Sequence, residues 1–108
     1  MKKIRYYKAI KNNNGTKRFA ESWGEPLNIK LPDGNVIKCA LEFSRSDGWK
    51  ITDIATGFLA QQTYIPNKKA LAKSIENADY LAAFARIVNS DSYKKSALDL
   101  EAYQKQFI

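Results

Sequence analysis

From Lys3 to Lys11 the side chains alternate: Ile4, Tyr6, Lys8 and Ile10 fall on one side, and Lys3, Arg5, Tyr7, Ala9 and Lys11 on the other. A period of two is that of a half-buried strand, whose successive side chains point to opposite faces. The segment therefore predicts a strand with a basic outer face. "NNNG" follows, and Asn and Gly tolerate the left-handed backbone of tight turns, so a hairpin into "TKRFAESW" is expected. Gly24 and Pro26 punctuate the chain before "LNIKL", where Leu27, Ile29 and Leu31 share a face. "PDGN" is the clearest turn signal: Pro32 presets its own φ, Asp33 bonds locally and Gly34 accepts positive φ. Beyond it Ile37, Cys39, Leu41 and Phe43 alternate inward with Lys38, Ala40, Glu42 and Ser44 outward.

After "SDG" the stretch "WKITDIATGFLAQQTYI" reads as two further strands joined near Thr56 and Gly57. Its alternation slips around Asp53 to Ala55, which a β-bulge would repair. Past Pro66 the period changes to that of a helix, with Leu71, Ile75, Ala78, Leu81, Ala85 and Val88 in a stripe and Asn67 as N-cap. The stripe is either one continuous helix or two that break near Asn77 to Asp79. Ser90, Asp91 and Ser92 introduce a last helix whose stripe is Tyr93, Ala97, Leu100, Tyr103 and Phe107. Strands first and helices last predict an α+β fold. An antiparallel sheet of about five or six strands over residues 3–65 is expected, with two or three helices over residues 67–107 packed on one face. Its open face or edge is the natural place for binding, and an unpaired edge strand permits homodimerisation by sheet extension.

Composition adds bounds to this picture. At 108 residues, 44% apolar and 27% charged, the chain is expected to form one folded domain over 1–108. No apolar run is long enough to span a membrane, and the N-terminus lacks the pattern of a secretory signal, so a cytoplasmic protein is expected. Cys39 is the single cysteine and histidine is absent, which excludes an intramolecular disulfide and a Cys/His zinc site.

Charge changes the picture most. The net charge is +7, and residues 1 to 18 carry Lys2, Lys3, Arg5, Lys8, Lys11, Lys17 and Arg18 without one acid. The rest of the chain is balanced. Such asymmetry points to nucleic acid or another anionic surface, although lysines on an edge strand also serve to prevent edge-to-edge pairing.

Enzyme chemistry finds little support. Without histidine there is no Ser/His or Cys/His pair, and Cys39 is expected in the core, where thiols are inert. The acids Glu21, Glu25, Asp33, Glu42, Asp47 and Asp53 are scattered among strands and turns, and the glycines belong to no phosphate-binding loop. No catalytic residue, metal or cofactor is expected. Single-strand binders combine a positive groove with aromatic faces for stacking. With Ile4 and Tyr6 inward, Tyr7 is expected outside between Arg5 and Ala9, either as a stacking platform or as an ordinary cross-strand aromatic. The reading is thus a non-enzymatic protein that contacts nucleic acid or a nucleoprotein through the seven N-terminal cations and Tyr7, mainly at phosphates. Six or seven phosphate contacts would give a log–log salt slope near about −6.

The alternative is a protein-directed module that occludes an acidic or nucleic-acid-binding surface. Trp23, Trp49, Phe58 and Tyr64 are its candidate anchors, each also a candidate for the core. In size, missing catalytic groups and Lys/Asn-rich character the chain resembles, in general style, small proteins of phages and mobile elements, including anti-CRISPR-like inhibitors of host defence. A membrane-surface role is disfavoured, since the basic segment reads as a strand and not as an amphipathic helix.

Overall fold

The computed structural model describes residues 3–61 and 64–106. It is an α+β structure in which four strands, β1 (Ile4–Lys11), β2 (Lys17–Lys30), β3 (Val36–Ser44) and β4 (Gly48–Asp53), form one antiparallel sheet in chain order. Three helices follow: α1 (Lys68–Glu76), α2 (Ala78–Val88) and α3 (Asp91–Lys105). Among the described residues no helix is long and apolar enough to cross a membrane.

Among the described residues the strand count is four and not five or six, for two local reasons. "TKRFAESW" and "LNIKL" are a single strand that runs through Gly24 and Pro26, pairing with β1 up to Gly24 and with β3 from Glu25 onward. Pro26 pairs with Ala40 on β3 and lies beyond Gly24, the last residue of β2 paired with β1 among the described residues, the kind of position where a missing N–H is tolerated. Gly24 is required for a different reason. A Cβ there would lie 2.5 Å from the Leu41 carbonyl oxygen and 3.3 Å from the Tyr6 ring, so only glycine lets the sheet fold so tightly.

The second reason lies beyond β4. The chain turns at Asp53–Gly57 and returns along β4, but among the described residues its strand pairing is confined to one bridge between Thr52 and Leu59. Further along, the side chain of Gln61 does what a strand backbone would do. Its Oε1 accepts from the Ile51 N–H at 2.6 Å and its Nε2 donates to the Trp49 carbonyl at 3.1 Å. Over residues 58–61 the anticipated last strand is therefore replaced by an irregular strap, whereas the part of that expectation that falls on residues 62 and 63 lies outside the described residues.

The main core lies between the sheet and the helices, where Ile29, Leu31, Cys39, Leu41, Ile51, Ile65, Leu71 and Phe84 pack together, all buried. The reverse face of β3 and β4 is buried as well, with Ala40 and Thr52 nearly inaccessible. Their cover is the β1–β2 hairpin: the hydroxyls of Tyr6 and Ser22 both donate to Glu42 Oε1, and Lys8 donates to Glu42 Oε2 at 2.9 Å. On its other side the Ala9 N–H donates to the Gly57 carbonyl at 2.9 Å. Gly57 has φ 78°, and a Cβ there would lie 2.8 Å from Ala9 N, so the contact depends on glycine.

The helical stripe breaks at Asn77, which caps both neighbours. Its backbone N–H closes α1 on the Ser74 carbonyl, and its side chain accepts from Tyr80 N at 2.9 Å to open α2. Asn67 caps α1 as anticipated, and Ser90 caps α3. Helix α3 lies against the hairpin, where the Tyr103 ring meets those of Tyr7 and Phe19 at centroid distances of 5.5 and 5.1 Å. Phe107, expected in its stripe, lies outside the described residues.

Candidate functional site

Strand geometry determines where the N-terminal cations can go. Lys3, Arg5, Lys11 and Lys17 belong to the face of the hairpin that carries Tyr7, whereas Lys8 and Arg18 belong to the opposite face. Lys3 and Lys11 are about 27 Å apart along an extended strand, and Lys2 lies outside the described residues. Three of the six described cations are already paired with carboxylates: Arg5 with Glu21 at 3.8 Å, Lys8 with Glu42 at 2.9 Å and Lys17 with Asp99 at 3.2 Å. Among the described residues Lys3, Lys11 and Arg18 have no such partner. The structure therefore brings together Lys3 and Arg5 at one end and Lys11 and Lys17 at the other, and does not unite all of them in one patch.

Tyr7 is half-buried beneath Tyr103, and so serves as a contact between layers and not as an open stacking face. Lys17 adds to the same seam, with its ammonium 5.3 Å from the Phe19 ring and 5.1 Å from the Phe58 ring.

A different group of residues converges at the Lys3 end. Phe43 and Trp49 are cross-strand partners on β3 and β4, with ring centroids 5.3 Å apart. They continue the face that carries Leu41 and Ile51 into the core; Trp49 packs against that core, whereas Phe43 is left at 55% exposure. Trp23, equally exposed, joins them from β2, in register with Arg5 on β1. Together with Lys3 and Glu25 these rings line a shallow groove of about 300 Å³. Lys68, from the first turn of α1, holds its ammonium 4.7 Å from the Trp49 ring and 3.3 Å from Glu25.

The groove is thus an aromatic floor of three rings with Lys3, Arg5 and Lys68 at its rim. Aromatic faces stack flat rings in offset geometry and attract cations, and rim cations supply attraction for anions. Trp23 and Trp49 were named from the sequence as candidate anchors. Phe43 was expected to point into the core. Its direction is as expected, but the core ends before it does; its place just ahead of "SRSDG" was the available signal. Lys68, brought in by the helix layer, had no local signal. Among the described residues no group of three Asp, Glu, Cys or His is arranged to hold a metal ion. Comparison with known protein families, with curated proteins and with solved structures finds no match.

Proposed function

We propose that the chain is a non-enzymatic binding protein that takes single-stranded nucleic acid, free or within a nucleoprotein, across the aromatic end of its sheet. The observation that carries this reading is the exposure of Trp23 and Phe43 next to Trp49, flanked by Lys3, Arg5 and Lys68. Bases stack on such rings at about 1–3 kcal/mol each whatever their sequence, and rim cations meet phosphates. Trp23 and Trp49 are the only tryptophans in the chain, so intrinsic fluorescence reports on the groove itself. Titration with a short single-stranded oligonucleotide should quench that emission, and Trp23→Ala should weaken binding about 5- to 160-fold. Unchanged emission at saturating oligonucleotide would sink the proposal.

A second reading is favoured by the mixed charge of the rim, where Arg5 and Lys68 are held by Glu21 and Glu25. Exposed tryptophan within a ring of paired charges also suits a protein partner, in keeping with an occluding inhibitor. In that case the purified protein ignores oligonucleotides and retains a definite partner after nuclease treatment, and the partner is released by Trp23→Ala.

A further inference from the structure

A second concavity, of about 110 Å³, opens where the strap after β4 meets α2 and α3. Its lining includes Asp53, which is only 3% exposed. The Asp53 carboxylate accepts from the Thr56 hydroxyl at 2.8 Å, from the Tyr93 hydroxyl, and weakly from Ala55 N at 3.4 Å. All three donors are neutral. Among the described residues no Lys or Arg pairs with it, so this buried carboxylate has hydrogen-bond donors around it but no cationic side chain beside it.

The walls favour the same kind of guest. Tyr80, Phe84 and Tyr93 line the cleft with Ala83 and Ile87. The Tyr80 hydroxyl is committed to the Ala60 carbonyl at 2.6 Å and that of Tyr93 to Asp53. Both rings are thereby fixed, and what they offer a guest is chiefly aromatic surface. Aromatic faces beside a carboxylate attract an organic cation, which loses less on leaving water than a bare ammonium does. In size the cleft is somewhat smaller than the roughly 150 Å³ cavity that admits benzene in another protein.

We propose that this cleft binds a small organic ammonium ion of about trimethylammonium size, with its charge toward Asp53 and its methyl groups against Tyr80, Phe84 and Tyr93. The site is separate from the aromatic groove, and the proposal stands whether or not that groove binds nucleic acid.

The test compares choline with 3,3-dimethyl-1-butanol, its neutral isostere, by amide-resolved NMR titration of the intact protein. Choline should shift Ala60, Ala83 and Ile87 and bind at least tenfold more tightly than the alcohol. Asp53→Asn should bring the two within twofold of each other. Equal binding of both compounds to the unaltered protein, or shifts confined to other residues, overturns the proposal. Should Asp53→Asn fail to fold, Ala83→Leu decides the matter by filling the cleft from α2. Loss of choline binding with a native spectrum supports the site, and retained affinity overturns it.

Discussion

Glu42 receives the hydroxyls of Tyr6 and Ser22 and the ammonium of Lys8, and so joins the hairpin to the sheet it covers. Burial pushes its carboxyl upward, but the hydrogen bonds from Ser22, Tyr6 and Lys8, with the charge of Lys8, outweigh burial and leave it below its ordinary range. A folded value below the unfolded one stabilises the protein above about pH 4.3, and that contribution is lost as pH falls through the folded value. Glu42→Gln should cost about 2 kcal/mol at neutral pH, because a buried phenol loses its charged acceptor. It should also flatten the acid limb of stability, as read from urea midpoints between about pH 3 and 7. Cys39 behaves in the opposite sense. Burial, and then the charge of Asp53, push its thiol up to about 12. The neutral thiol therefore stabilises fully below about pH 8.5, and this is progressively lost as pH rises toward the folded value. Cys39→Ala should remove the part of the decline seen between about pH 8.5 and 10, measured by the same titration.

At the scale of elements, Asn77 is a junction that two helices share. Asn77→Ala removes the side-chain acceptor from the start of α2 and should cost about 1 kcal/mol, visible as a drop in melting temperature of roughly 4–8 °C. The break was foreseeable because Asn and Asp favour caps, yet periodicity alone could not choose between one helix and two, since both keep the same stripe. The hairpin at "PDGN" was fully legible: Gly34 N bonds to the Leu31 carbonyl and Asn35 N to Asp33 Oδ1, each at 3.0 Å, as local turn chemistry requires. The unity of β2 was not. Gly24 and Pro26 usually interrupt strands, and here they serve a close crossing of backbones that involves residues distant in the chain. The shortened end of the sheet was hidden for a related reason, since nothing in "FLAQQ" announces that the Gln61 side chain takes the bonds of a neighbouring strand.

For the molecule as a whole, the charge excess and the candidate site must be separated. The sequence located the cations but not the carboxylates that fold against them, because Glu42 and Asp99 are far away in the chain and near only in space. With Lys3, Arg5 and Lys68 as the cations around the groove, three phosphate contacts predict a log–log salt slope of about −2 for a single strand, shallower than the roughly −4 to −5 that six or seven contacts of a united basic patch would give on the same strand. Affinity measured between about 50 and 200 mM salt distinguishes the two. A slope of about −4 to −5 would return the contact to the entire hairpin.

The clasp of α3 on the hairpin has a consequence for how the protein is made. Tyr7 and Phe19 find Tyr103, and Lys17 finds Asp99, only once α3 has left the ribosome. Until then one side of the first hairpin is uncovered, and its long-range pairings are of the kind that form slowly. Synthesis must therefore run ahead of assembly, and a nascent chain arrested before α3 should keep those aromatic rings open to chaperones or to its neighbours on the same message.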